Sequence, residues 1–148
     1  MKKDELITVF ERDLNKLIAE IELYKNEENI WRLEKNISNS AGNLTLHLIG
    51  NLHTFIGKEI GKTDYVRHRE LEFSQQNVSR QKLITSINET IEMVRDSLSS
   101  ITNEELQKDY PVLKFPKPES TEYLLIHLIA HLNYHLGQIN YHRRLIEE

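Results

Sequence analysis

Apolar residues recur at steps of three and four along this sequence, a spacing that places them on one side of an α-helix. In residues 5–26 the stripe consists of Leu6, Phe10, Leu14, Leu17, Ile21 and Tyr24. A second stripe, ending near residue 100, consists of Ile84, Ile87, Ile91, Val94, Leu98 and Ile101. Two further segments, at about 40–60 and 120–148, are more apolar still, and we expect the last one to be mostly buried. The pattern predicts four helices and an all-α fold.

Polar residues mark where three of these helices begin. Asn39 or Ser40 can cap the second helix, Ser79 the third and Ser120 the fourth, because their side-chain oxygens accept a hydrogen bond from a free backbone N–H. Gly50 lies inside the second helix and costs about 1 kcal/mol relative to Ala. We expect a neighbouring helix to approach closely there.

Residues 61–78 lack a sustained apolar stripe and are predicted to form a long crossing connection. Four amphipathic helices joined by such connections are typical of a compact four-helix bundle. The 148 residues suit a single domain, 1–148. A strict apolar seam would also fit a dimer of two-helix units, so the oligomeric state stays open, and we expect a homodimer.

The composition argues against several classes of protein. The formal net charge of −4 provides no basic field for nucleic acid. The absence of cysteine excludes disulfides, cysteine-based zinc sites and a cysteine nucleophile. No stretch approaches the roughly 18 apolar residues of a spanning helix, and the first residues lack the apolar core of a signal peptide. We therefore expect a cytoplasmic protein that binds neither nucleic acid nor membrane.

Four of the seven histidines lie in residues 127–142, on one side of the fourth helix: His127, His131, His135 and His142. His131 and His135 have the i, i+4 spacing by which one helix presents two imidazoles to one metal ion. The alternative is that these rings are core residues hydrogen-bonded to their neighbours.

A third ligand would have to come from another segment, and the candidates are His47, His53 and His68. His68 lies in a charged loop and is predicted to be exposed. His47 and His53 are roughly 120° apart around the second helix, so at most one of them faces inward. The apolar neighbours of His47 favour His47.

The segment "HLNYHLGQI" resembles the HxxxHxGQ segment on the last helix of the DinB/YfiT-like superfamily. "NSAGNLTLHLIGNLHTFIG" and "YVRHRELEFS" resemble one uncharacterised branch of it, and the resemblance extends from about Glu28 through the last helix. It implies a four-helix bundle whose second and third helices run parallel and are joined by a long crossover. It also implies a divalent metal ion held by His47, His131 and His135.

The resemblance also concerns residues next to these ligands. Gly137 and Gln138 match the end of the motif. Gly137 could allow close helix approach, and Gln138 could either support a ligand as a hydrogen-bond donor or simply pack. His127 and His142 have no ligand role in the motif and are interpreted as supporting or core residues.

Some members of the superfamily look like metal-dependent transferases that use low-molecular-weight thiols such as bacillithiol, mycothiol or glutathione. We therefore expect a metalloenzyme that transfers such a thiol to a small electrophilic substrate, or a related detoxifying activity. The same site could activate water for hydrolysis. The alternative is a non-enzymatic dimeric bundle with a structural or vestigial metal site. Three imidazoles suit Zn, Ni, Fe or Mn, and the sequence does not decide among them.

Four arginines could bind the carboxylates of an anionic thiol, namely Arg67, Arg69, Arg143 and Arg144. The simpler interpretation places them in solvent or in ion pairs with Glu70, Glu72 and Glu147.

Overall fold

The computed structural model describes residues 1–148 and contains five α-helices and no β-strand. The helices are α1 (Lys3–Leu23), α2 (Ala41–Leu52), α3 (Arg69–Ser74), α4 (Arg80–Ser99) and α5 (Thr121–Ile146). Two short 3₁₀ turns, at Glu27–Trp31 and Glu105–Gln107, lie in the connections. The predicted all-α fold class is confirmed. No helix combines the length and the apolar character that spanning a bilayer requires.

The four long helices enclose one contiguous apolar core. Helices α1 and α2 each pack against both α4 and α5. The six stripe residues predicted in α1 are all buried, which confirms the periodicity from which that helix was inferred. Burial of such stripes supplies most of the stability of short helices in a protein of this size.

Serine side chains cap α2, α4 and α5 at the predicted positions. The Oγ atom of Ser40 accepts a hydrogen bond from the Asn43 backbone N–H at 3.1 Å, so Ser40, and not Asn39, is the cap of α2. Ser79 and Ser120 accept equivalent bonds at 3.2 and 3.0 Å. Each cap satisfies a backbone donor that has no partner inside its helix.

The connection after α2 differs from the prediction. The α-helix ends at Leu52 and continues as a π-helical turn, His53–Lys58. The segment 61–78, predicted as a crossing connection, contains the six-residue helix α3. A helix this short cannot display a repeating apolar stripe, and tertiary contacts hold it: the Asn43 amide donates hydrogen bonds to the carbonyls of Glu72 at 2.9 Å and Gln75 at 2.8 Å.

Helix α5 is buried along one side only, so the expectation that it is mostly buried was wrong. Tyr134, Tyr141 and Leu145 are 60–64% exposed. Apolar residues occupy both sides of this helix, and periodicity does not distinguish the side that faces the core. The close helix approach that Gly137 could have allowed does not occur, because a Cβ atom built there meets nothing within 4 Å.

His142 is a core residue that joins three parts of the chain. The Tyr24 hydroxyl donates to His142 Nδ1 at 2.7 Å, and His142 Nε2–H donates to the Arg32 carbonyl at 2.8 Å. Both ring nitrogens are therefore satisfied in the neutral form. Burial lowers the pKa of His142, although the bond to Arg32 opposes this shift.

Acid should destabilise the fold through His142. Because its pKa is lowered from 6.5 in the folded chain, the unfolded chain binds more protons at mildly acidic pH. The stability that depends on neutral His142 is complete above about pH 6.5 and is lost as the pH falls. We expect the melting temperature, followed by circular dichroism, to drop between about pH 7.5 and about pH 5. The drop should be smaller in His142→Gln.

His68→Gln is the matched control, because the side chain of His68 is 63% exposed. The melting temperature of His68→Gln should fall with acid by the same amount as that of the parent protein. Equal drops in the parent and in His142→Gln would contradict the assignment of acid sensitivity to His142.

Candidate metal centre

His47 from α2 meets His131 and His135 from α5. The Nε2 atom of His131 lies 3.2 Å from Nε2 of His47 and 3.1 Å from Nε2 of His135. One ring nitrogen from each histidine can be chosen so that all three lie within 4.8 Å of one another. The three histidines singled out from the sequence are thus brought together, in an arrangement compatible with a metal site.

Hydrogen bonds to the other ring nitrogens orient two of these imidazoles. Nδ1–H of His47 donates to Glu72 Oε1 at 3.0 Å, since a carboxylate only accepts. Nδ1–H of His135 donates to Gln138 Oε1 at 2.7 Å. Both rings then carry the lone pair on Nε2, the atom that faces the centre of the cluster. Of the two roles left open for Gln138, support of a ligand or simple packing, the structure favours support, and Gln138 acts as an acceptor and not as a donor.

The cluster is electrostatically suited to a cation. Burial lowers the pKa of His47, against the opposing effect of its bond to Glu72. Burial and the neighbouring His135 and His47 lower the pKa of His131 to about 4. His47 and His131 are therefore neutral near pH 7, as ligation requires.

Spacing and an unpaired nitrogen also fit a metal ion. Two imidazole nitrogens on a tetrahedral ion with bonds of about 2.0 Å are about 3.3 Å apart, close to the two distances from Nε2 of His131 to Nε2 of His47 and of His135. The buried Nδ1 of His131 has no hydrogen-bond partner. If that atom carries the ring's proton, all three Nε2 lone pairs converge, an arrangement that is repulsive until a cation lies among them.

Glu72 is a functional candidate that the sequence analysis missed. It lies on α3 and is 6% exposed. Arg67 holds its carboxylate at both oxygens, with Nε 2.8 Å from Oε2 and Nη2 3.0 Å from Oε1. The pair keeps a buried charge compensated, which a buried carboxylate requires.

Gly50 makes room for this carboxylate. A Cβ atom built at Gly50 would lie 1.8 Å from Oε2 of Glu72. The close approach of a neighbouring helix expected at Gly50 is therefore present, and the Glu72 side chain of the short helix α3 makes it. A glycine in the middle of a buried helix was the sequence signal that could have led to Glu72.

The other histidines lie outside the cluster. His53 Nε2–H donates to the Thr90 hydroxyl at 3.1 Å, so this ring is directed toward α4. His68 is exposed, as predicted. His127 is exposed and contacts the Phe115 ring, with 5.0 Å between ring centroids.

The four arginines have different environments. Arg67 pairs with Glu72, one of the predicted partners. Arg143 pairs with Glu20 at 3.2 Å, and Arg144 lies over the Tyr141 ring. Arg69 forms no ion pair, and its guanidinium packs on the Phe73 ring.

A cleft of about 600 Å³ opens beside the cluster. Residues 36–39 form one side of it, and α5 forms the other with Tyr134 and Tyr141. His135 and Gln138 also line the cleft, so one candidate ligand is accessible from it. No Asp, Glu, Lys or Arg side chain contributes to the lining, which suits an uncharged molecule of mixed polar and apolar surface.

Replacing Gly50 by Ala tests the position of Glu72. Alanine favours a helix by about 1 kcal/mol, but its methyl group would displace the carboxylate. Arg67 and His47 would then lose an acceptor, at about 1–3 kcal/mol for each unsatisfied buried group. Since two groups are affected and the helix gains about 1 kcal/mol, we expect the free energy of unfolding in urea to fall by about 1–5 kcal/mol.

Gly137→Ala is the matched control, since Gly137 lies in a helix with open space around it. It should stabilise the protein by up to about 1 kcal/mol. If the two variants are equally stable, the carboxylate does not occupy the space beside Gly50.

Comparison with curated proteins finds no match to this chain. Comparison with protein families finds one whose description is "Protein of unknown function (DUF1572)", and its sequence model matches residues 3–148. The matched region includes all three clustered histidines, Glu72 and Gln138. Because the match covers nearly the whole chain, the protein belongs to the DUF1572 family.

Proposed function

We propose that this chain is a DinB-like metalloprotein in which His47, His131 and His135 hold one divalent cation. The observation that carries the proposal is the convergence of three Nε2 atoms, with Nδ1 of two rings fixed by Glu72 and Gln138. Neutral rings, a defined tautomer and a cleft beside the ligands are what a three-histidine site needs, and these features of the cluster support the proposal.

We further propose a four-helix bundle in which α2 and α4 run parallel, with α3 as part of the crossover. The packing of α1 and α2 against both α4 and α5 supports the bundle. The motif "HLNYHLGQI" on the last helix and the long connection between α2 and α4 support it as well.

The reaction we propose is transfer of a low-molecular-weight thiol to a small electrophilic substrate. The thiol gives up its S–H proton to solvent, a C–S bond forms at the electrophilic carbon, and the leaving group departs with the electron pair of the bond that breaks. A divalent cation, when bound, would stabilise a coordinated thiol as its reactive thiolate at neutral pH. Glu72 and Gln138 hold protons on Nδ1 of His47 and His135, which keeps Nε2 free on both rings. The uncharged cleft beside His135 would bind the electrophile. The chain has no cysteine, so the sulfur nucleophile would come from the thiol.

A second candidate is a non-enzymatic homodimer with a structural metal ion. The exposed apolar residues of α5, Tyr134, Tyr141 and Leu145, favour it because they could be covered by a second copy. The cleft beside His135 favours the enzyme, since structural sites are closed by four protein ligands.

Metal content tests the proposal directly. The untagged protein, purified without chelator, should contain about one divalent ion per chain by elemental analysis. His47→Ala and His131→Ala should each lose the ion, because two remaining imidazoles bind it weakly.

His53→Ala is the matched control, because His53 follows α2 directly but points toward α4. It should keep the metal content of the parent. A parent protein that takes up no divalent ion, even when titrated, would rule out the metalloenzyme.

Glu72 should strengthen metal binding through His47. Outer hydrogen-bond partners of ligand histidines typically contribute about 10–100-fold in metal affinity. We expect Glu72→Gln to weaken Co²⁺ binding by about that factor, measured by absorption spectroscopy of the titrated protein.

Glu70→Gln is the control on the same short helix, because the Glu70 side chain is 76% exposed. It should bind Co²⁺ like the parent protein. Equal affinities in the two variants would show that Glu72 has no orienting role.

A further inference from the structure

A second cleft, of about 460 Å³, lies between α4 and the connection that follows α2. We call it the acidic cleft, because four carboxylates line it and no lysine or arginine does: Asp64, Glu89, Glu92 and Asp96. The one basic residue between the α4 carboxylates, Arg95, pairs with Glu11 of α1 at 2.8 Å instead. The negative charge of the acidic cleft is therefore not compensated by an ion pair within the protein.

The carboxylates of α4 are spread along the acidic cleft and do not surround one point. Glu89, Glu92 and Asp96 follow one another at steps of three and four residues, so they share one side of the helix, with rises of about 4.5 and 6 Å between them. Three potential metal ligands within 4.8 Å of one another are found in the histidine cluster and not in this cleft. The acidic cleft therefore suits an extended cation with several charges better than a single metal ion.

Ser97 presents a hydroxyl without a partner to the acidic cleft. The residue is only 3% exposed, yet it lines the cleft, and its Oγ atom forms no hydrogen bond within the protein. Gly61, on the opposite wall, makes room for this hydroxyl, because a Cβ atom built at Gly61 would clash with Ser97 Oγ. A polar group this deeply buried normally has a hydrogen-bond partner, so the Ser97 hydroxyl marks a position for a donor carried by a ligand.

Two stacked rings and a thioether add apolar surface to the acidic cleft. The rings of His53 and Tyr65 lie 5.0 Å apart between centroids, with an angle of 27° between their planes. His53 begins the π-helical turn, and its hydrogen bond to Thr90 of α4 holds the ring in place. The side chain of Met93 also lines the cleft. A cation is attracted to an aromatic face, and the methylene groups between its charges can pack on such a surface.

We propose that the acidic cleft binds an aliphatic polyamine. Its ammonium groups pair with the carboxylates of α4, and one of them donates a hydrogen bond to Ser97 Oγ. Amines separated by three or four methylene groups match the spacing of the carboxylates along the helix, and the methylene chain lies against Tyr65 and Met93. The acidic cleft shares no residue with the histidine cluster or with the cleft beside it, so this inference is independent of the proposed function.

Titration with the triamine spermidine tests the acidic cleft. Isothermal titration calorimetry is carried out in about 0.1 M salt, which screens attraction between charges more than about 10 Å apart. We expect one spermidine to bind per chain, and more tightly than butylamine, which carries a single ammonium group. Glu92→Gln and Asp96→Asn should each weaken spermidine binding roughly 2–5-fold, as the loss of one exposed ion pair produces.

Ser97→Ala separates a formed site from diffuse attraction, because it leaves the charge of the protein unchanged. We expect this variant to bind spermidine about 10-fold more weakly, since a hydrogen bond to a charged group is lost. Ser99→Ala is its matched control, because Ser99 is exposed on the same helix and does not line the cleft. Glu28→Gln is the control for the charge changes, since Glu28 is an exposed carboxylate outside the cleft. Both controls should bind spermidine like the parent protein.

His131→Ala shows whether spermidine binds at the histidine cluster instead. Its affinity for spermidine should equal that of the parent protein, whether or not the parent contains a metal ion. Loss of binding in His131→Ala would place the amines at the histidines and overturn the proposal. A parent protein that does not bind spermidine, or that binds it no better than Ser97→Ala does, would overturn it as well.

Discussion

The buried carboxylate of Glu72 accepts hydrogen bonds from His47 and from Arg67, and much of the candidate site depends on where it lies. A buried carboxylate is costly unless its charge is compensated and its oxygens are bonded. Arg67 meets the first condition, and Arg67 and His47 together meet the second. The missing side chain of Gly50 provides the space. These four residues form one unit, because removing Glu72 or Arg67, or adding a side chain at Gly50, disturbs the bonds that satisfy the buried carboxylate and orient His47.

Helix α5 supplies core residues from one side and two of the three clustered histidines from another. Leu128, Leu132 and Leu136 face the core and fix the helix against its neighbours. Between them, His131 and His135 point toward α2, where His47 meets them. A rigid helix on a packed core holds ligands in place better than a loop would, so the core determines the geometry of the cluster.

Local sequence patterns predicted the long helices and singled out His131 with His135, and the family resemblance implied that His47 completes the cluster. Steps of three and four predicted the buried side of α1, single serines predicted three helix starts, and the spacing of His131 and His135 placed both on one side of α5. The periodic pattern did not predict which side of α5 is exposed, because apolar residues occupy both sides of this helix. The pattern also did not predict that Glu72 contacts His47, because the two residues are 25 positions apart along the chain. Contacts of that kind depend on how the elements pack, and no local pattern encodes them.

The six-residue length of α3 has a consequence for how such a site can diverge. Helices this short are not stable alone, and α3 is held in place by Asn43 and by the Glu72 carboxylate beside Gly50. None of its residues belongs to the main apolar core. Substitutions in α3 could therefore change the acid behind His47, and with it the affinity of the site, without repacking the long helices. The proposed metal site thus has its outermost support in a short surface segment that can change while the core stays the same.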